Sequence, residues 1–171
     1  IQSVYWEFGS GVVLRDTGIT WQNRGTSFSL DPRALNALQP GRKPFHTLNP
    51  SMALFDDGRV MPYGTMGGEG QPQTQAAVFT RYARFGQTLQ QAVTAPRWLL
   101  GRTWGQSSDT LKLEGRFPDS TFEELGRRGH ALERLADFDE SCGHAGCLVW
   151  QPDGTLQGGA DPRSDGGVAA F

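Results

Sequence analysis

The chain has 171 residues, a formal net charge of -2 from 16 basic and 18 acidic side chains, and 37% apolar residues. That length suits a single domain with a sizeable core, and the well-mixed charges leave no electrostatic footprint for nucleic acid or an anionic membrane. No run reaches the ~18 consecutive apolar residues of a membrane span, and the opening Ile1-Gln2-Ser3-Val4-Tyr5 lacks the basic and apolar regions of a signal peptide.

The first predicted element is a hairpin: Gly11 to Leu14, a turn at Arg15-Asp16-Thr17-Gly18, then Ile19 to Asn23. Asp31-Pro32-Arg33-Ala34-Leu35 has the start of a short helix, with Asp31 as cap and Pro32 at the first position, stopped by Gln39-Pro40-Gly41. The prolines of Lys43-Pro44-Phe45-His46-Thr47-Leu48-Asn49-Pro50 hold that stretch extended, which leaves His46, Thr47 and Asn49 to line a pocket.

Ser51 to Phe55 and Arg59 to Thr65 flank Asp56-Asp57-Gly58, a second hairpin. It leads into Gly64-Thr65-Met66-Gly67-Gly68-Glu69-Gly70, around which the chain is organised. Glycines let neighbouring backbone N–H groups converge on one oxygen, as an oxyanion hole or a phosphate nest requires. Taken alone, the segment fits a flexible turn at a strand end better than an anion cradle, because glycine clusters are common punctuation.

Beyond it, Gln73 to Phe85 and Thr88 to Thr94 carry apolar residues at helical spacing, punctuated by Pro72, Gly86 and Pro96. Arg97-Trp98 and Arg102-Thr103-Trp104 offer cation–indole stacking of an ordinary packing kind. Asp109 to Glu114 alternates as a strand, and Asp119 to Arg128 reads as a capped amphipathic helix with Phe122 and Leu125 inward. Ala145 to Trp150 and Thr155 to Ala160, turned by Pro152-Asp153-Gly154, form a last hairpin. Antiparallel hairpins interleaved with pairs of helices give an α+β class.

Cys142, His144 and Cys147 are three soft ligands within six residues, but structural zinc takes four, usually as two close pairs. Two small buried thiols are the expectation, a disulfide the alternative, and no metal or cofactor is expected.

Several motifs in one order resemble the small, C-terminal subunit of the gamma-glutamyltranspeptidase family. They are Phe8-Gly9-Ser10-Gly11-Val12-Val13 with Thr17-Gly18-Ile19 and Gln22-Asn23; Pro44 to Pro50; Gly64-Thr65-Met66-Gly67-Gly68; Ala92-Val93-Thr94-Ala95-Pro96-Arg97; and Asp161-Pro162-Arg163-Ser164. The resemblance covers essentially the whole chain. It implies an N-terminal-nucleophile hydrolase, a four-layer αββα sandwich of antiparallel sheets with helices outside, in which a precursor cuts itself to expose a catalytic threonine. It also implies a partner, the large subunit from the same precursor. The threonine falls upstream of Ile1, so residues 1–171 are expected to be one small-subunit fragment that lacks the nucleophile strand and is inactive alone. The chain opens without a methionine and in mid-strand pattern, which fits that expectation.

Carried over residue by residue, the resemblance puts the Gly67 and Gly68 N–H groups at the oxyanion and makes Ser3 a hydroxyl that supports the nucleophile. It also exposes departures. Where family members acting on gamma-glutamyl groups hold the substrate ammonium with an acid, this chain has Ser27, with Arg24 nearby. Where they hold the carboxylate with a pair of serines, it has His46-Thr47. An ammonium without its carboxylate partner loses roughly 1.5 to 3 kcal/mol, so the residues Arg24, Ser27, His46 and Thr47 suit an anion without an amine. Together with Tyr5 to Gly9 and Gly64 to Gln73, this is similar to the branch that includes oxamate amidohydrolases. A small anionic amide is therefore the expected substrate. Gamma-glutamyl hydrolysis or transfer on glutathione-like substrates is one alternative, and a non-catalytic metabolite-binding or assembly module another. The cytoplasm is the expected compartment, with the periplasm as alternative.

Overall fold

A computed structural model describes residues 3–102 and 107–169. The predicted stacking of Arg102 with Trp104 therefore lies outside the described residues. The chain packs as two units, Ile1–Leu48 and Asn49–Phe171.

In the first unit, the expected hairpin is short: β1 (Val13–Leu14) pairs antiparallel with β2 (Ile19–Thr20). Asp16 and Gly18 turn it at positive φ. The side-chain amide of Asn23 ties down the preceding loop, donating to the carbonyls of Trp6 and Gly9 and accepting the Trp6 N–H at 3.0 Å. Gly9 is required there, since a Cβ would stand 2.6 Å from the Trp21 carbonyl oxygen and φ is +66°. A 3-10 turn follows at Arg24–Ser27. The helix expected from Asp31 is absent. Asp31 instead accepts the Arg33 N–H and pairs with its guanidinium, the Ala34 and Ala37 N–H groups close i to i+3 turns on Asp31 and Ala34, and the Asn36 carbonyl is taken by the Ser29 N–H. Leu35 is fully exposed, so the one large apolar side chain between Asp31 and Ala37 buries nothing that would carry a helix through its costly nucleus.

The second unit is built on a four-stranded antiparallel sheet in the order β3-β4-β8-β9, from β3 (Ser51–Leu54), β4 (Val60–Thr65), β8 (Ala145–Trp150) and β9 (Leu156–Ala160). Both predicted hairpins are there. The β4–β8 ladder skips Met61 and Pro62, where proline has no N–H to give. One face of the sheet carries Met61, Ala145, Cys147 and Val149, and they pack with Val78, Leu89 and Val93 of α1 (Gln71–Ala83) and α2 (Leu89–Thr94). Pro72 sits inside the first turn of α1, where its missing N–H costs nothing, so the helix begins before the proline and not after it. Thr88 and Gln91 close a reciprocal capping box on α2.

The opposite face of the sheet is also apolar, but it is exposed: Met52, Leu54, Leu148, Trp150 and Leu156 show 50–76% of their surface. Met52 and Leu54 lie opposite Pro62 and Val60, and Trp150 lies between Val60 and Leu156. A sheet with two apolar faces is built to be covered on both.

A second sheet of three strands, β5 (Trp98–Leu100), β6 (Leu111–Glu114) and β7 (Leu132–Leu135), holds the strand predicted at Asp109 to Glu114 and adds β5 and β7, which the sequence pattern does not announce. Its β6–β7 pair is parallel, linked by α3 (Asp119–Arg127). Pro118 precedes α3 and no side chain caps it; Phe122 lies under the Arg134 guanidinium, 3.7 Å from ring centre to Cζ. The fold is α+β.

Two glutamines act as substitute strands. The Gln73 amide both donates to and accepts from the backbone of Leu100 on the edge strand β5, and the Gln90 amide does the same for Ala160 on the edge strand β9. Each satisfies an N–H and a C=O that an edge otherwise presents to other chains. Among the described residues, no helix is long and apolar enough to cross a membrane.

Candidate functional site

The residues singled out from the sequence fall in two places, one in each unit. In the first unit, the 3-10 turn begins at Arg24, whose backbone N–H bonds the Gln22 side chain. Its side chain turns inward until the residue is only 6% exposed. One terminal nitrogen donates to Thr47 Oγ1 at 2.5 Å and the other to Ser3 Oγ at 3.1 Å, while the Tyr5 ring lies 5.1 Å from Cζ. Among the described residues no carboxylate pairs with this guanidinium. A buried cation held only by neutral hydroxyls and a ring is under-compensated, and it favours an anion brought to it.

Ser3, expected to support a nucleophile, accepts from both Arg24 and the Tyr5 N–H. With two acceptor positions filled, its own proton is the remaining hydrogen-bonding capacity, so Ser3 is set up to donate. Ser27 and His46 are not drawn to the guanidinium. The Ser27 hydroxyl donates to the Arg24 carbonyl at 2.8 Å, closing its own turn. His46 is exposed, and its Nδ1 faces the Leu48 carbonyl at 3.2 Å, a contact that puts the proton on Nδ1. Thus Arg24, Thr47 and Ser3 form one cluster, with Ser27 and His46 outside it.

In the second unit, β4 delivers the chain to Gly67 and Gly68, at φ +127° and +51°. Such backbone is open to glycine and strained for other residues. A single 3-10 turn, Gly68–Gly70, then runs into α1, and the Gly70 N–H closes onto the Gly67 carbonyl at 2.8 Å. Gly67 is buried and Gly68 half-buried. Chemically, a glycine pair entering a helix start can present N–H groups to an oxyanion.

Behind the turn is a charge network that the sequence reading missed. Arg163 forks onto both oxygens of Glu114 at 2.5 Å and reaches Asp161 at 3.0 Å. Arg97 reaches the other oxygen of Asp161 at 2.6 Å, and Arg116 joins Glu114 at 3.0 Å. All of these side chains except Arg116 are essentially without solvent exposure. Burial pushes the Asp161 carboxyl up, but the Arg97 charge, the Ala145 and Arg163 N–H groups and the Arg163 charge outweigh it and hold the pKa below the usual carboxylate range. Burial drives the Arg97 guanidinium down and the like charge of Arg163 adds to it, whereas for Arg163 the bond to Glu114 more than offsets burial. Two of the sequence motifs, Ala92 to Arg97 and Asp161 to Ser164, meet here, and their charges hold the frame together. The signal available was their charge: an Arg after Pro96 and an Asp-Pro-Arg are poor solvent-face patterns beside apolar neighbours.

Cys142 and Cys147 are free and buried, as expected, with burial raising their thiols to about 12 and about 11. Neither is a ready nucleophile. Among the described residues, no three His, Cys, Asp or Glu side chains are grouped to hold a metal ion.

Comparison with known proteins supplies the context. The family model described as gamma-glutamyltranspeptidase matches residues 1–171. The chain is 64% identical to the oxamate amidohydrolase proenzyme of Klebsiella pneumoniae over its whole length, covering 32% of that relative. It is 50% identical to the glutathione hydrolase-like YwrD proenzyme of Bacillus subtilis, covering 33%. The chain thus spans about a third of the length of the curated relatives it matches. Among solved structures, cephalosporin acylase from Bacillus halodurans superposes with a TM-score of 0.72 at 38% identity, over 100% of this chain and 31% of that one.

Proposed function

The chain belongs to the gamma-glutamyltranspeptidase family, and from that premise we propose that the protein it comes from is an amide hydrolase acting on a small anionic amide such as oxamate. The observation that carries the substrate class is Arg24, a buried guanidinium with hydroxyl partners and, among the described residues, no carboxylate. A substrate carboxylate supplies that missing charge and gains a charge-assisted bond.

In this reading, a threonine exposed by self-cleavage, on a strand that precedes Phe8-Gly9, attacks the amide carbon, with its own amine as base. The carbonyl oxygen becomes an oxyanion, and the N–H groups of Gly67 and Gly68 receive it. The tetrahedral species collapses by breaking the C–N bond, and the protonated amine returns its proton to the departing ammonia. Water then cleaves the acyl ester, releasing the diacid and restoring the hydroxyl. Removing one oxyanion donor typically costs roughly 3 to 4 kcal/mol of transition-state stabilisation.

The partner in this reading is the remainder of the precursor. The exposed apolar face of β3-β4-β8-β9 supports it, since burying side chains of this size gains about 1.5 to 3 kcal/mol each. Gamma-glutamyl hydrolysis or transfer is the second reading, favoured by the 50% identity to a relative named glutathione hydrolase-like.

The test is ammonia release from oxamate by the complete, self-processed protein, with glutamate release from a gamma-glutamyl anilide measured beside it. Ammonia without glutamate is the expected result; glutamate without ammonia selects the second reading.

A further inference from the structure

Glycine pairs make poor scaffolds by themselves, because they have the most conformational freedom to lose. An oxyanion site, by contrast, works only when its donors are fixed before the reaction. The Gly67–Gly68 turn therefore needs a brace, and the second unit contains one.

Gly143, at φ +80°, lies against the back of the turn. A Cβ there would stand 2.3 Å from the Met66 carbonyl oxygen and 2.5 Å from Thr65 Oγ1, and a Cβ on Gly67 would stand 3.4 Å from the Gly143 Cα. No side chain separates the two backbones. The Gly143 segment is held in turn from three directions. Thr74 Oγ1, on the buried face of α1, donates to the Cys142 carbonyl at 2.9 Å. Arg97 donates to the Cys142 and Gly143 carbonyls at 3.2 and 2.8 Å, and the Gly143 N–H closes on the Glu140 carbonyl at 2.9 Å. Thr74 sits one helical turn beyond the Gly68–Gly70 turn, so the same helix that leaves the glycines also fixes the piece of backbone that supports them.

We propose that Gly143 and Thr74 are positioning residues for the Gly67–Gly68 turn: they set where its N–H groups stand without touching substrate. This rests on the reading of that turn as the oxyanion site. Relieving a 2.3 Å approach to an ordinary contact displaces the turn or its brace by about 1 Å, and a misplacement of that size costs on the order of 100-fold in rate.

The experiment uses the complete, self-processed protein and whichever of oxamate and the gamma-glutamyl anilide the wild type turns over. Gly143→Ala is expected to lower kcat about 100-fold with KM changed less than about 2-fold, since the loss is confined to the transition state. Thr74→Val keeps the side-chain shape and removes the bond to Cys142; kcat falls about 10-fold, and Thr74→Ser restores it. The Thr74 pair decides the matter if Gly143→Ala does not fold or self-process. An unchanged kcat in Thr74→Val, a rise in KM alone, or failure of Thr74→Ser to rescue overturns the proposal. A slowed Thr74→Val whose affinity for a boronate mimic of the tetrahedral adduct is unchanged would instead sink the oxyanion reading. A wild type inactive on both substrates would sink the functional reading and this inference with it.

Discussion

Arg24 and Arg163 are both buried guanidiniums, and their surroundings differ in kind. Arg163 meets Glu114 with a two-bond fork and Asp161 with a third contact, and its side chain has no exposed surface. Arg24 meets two hydroxyls and a tyrosine ring. Both side chains bear the cost of leaving water, but among the described residues only Arg163 recovers it from carboxylates. The comparison separates an arginine neutralised by carboxylates of the fold from one that, among the described residues, meets hydroxyls and a ring.

The largest effect expected from this contrast comes from Asp161→Asn. Removing that carboxylate leaves Arg97 and Arg163 facing each other in the interior, and breaking such a pair costs about 3 to 5 kcal/mol. Urea unfolding of the complete protein measures it; a loss below about 1 kcal/mol would remove the distinction between the two arginines. Next is Arg24→Met, for which KM for oxamate rises about 10- to 100-fold, the equivalent of one charge-assisted bond. Its unfolding free energy should stay within about 0.5 kcal/mol of wild type, because an apolar replacement avoids the desolvation cost. If Arg24→Met instead unfolds as readily as Asp161→Asn, Arg24 belongs to the frame.

Acid sharpens the contrast further. The folded-state pKa of Asp161 is depressed, so its contribution is fully present above its ordinary value of 3.8 and is lost as pH falls through the lower folded value. Stability should therefore drop below about pH 4 in the wild type, and less steeply in Asp161→Asn, as followed by circular dichroism at fixed urea. The smallest effect is expected from Gln90→Ala, which frees one N–H and one C=O on the edge of β9 and should cost about 1 to 2 kcal/mol, with greater self-association in light scattering.

What was legible in the sequence follows the same division. Hairpins announced themselves through local chemistry, since Asp57-Gly58 and Asp153-Gly154 specify turns whatever the rest of the chain does. The glycine turn and Arg24 could also be singled out, because an unusual residue at a strand end or in a polar loop is visible one position at a time. Partners were harder. His46 reads as a pocket residue, yet it is exposed, and the Ser27 hydroxyl is used by its own turn. β5 is three residues long and β7 is half-exposed, so neither has enough pattern to stand apart from loop. Glu114, Asp161 and Arg163 meet only through tertiary structure, and nothing within any short window says that one will neutralise another.

The pairing of β4 with β8 has a kinetic consequence. Thr65 lies opposite Ala145, and the whole of α1, α2, the three-stranded sheet and α3 is threaded between them. Closing so long a loop is entropically slow, whereas the β3–β4 and β8–β9 hairpins and the β6-α3-β7 crossover need only near neighbours. The hairpins should therefore form first and wait, and the four-stranded sheet should assemble last by zipping the two together. During that interval the edges of β4 and β8 are open, which makes the docking of two finished hairpins the step at which this polypeptide is most exposed to the wrong neighbour.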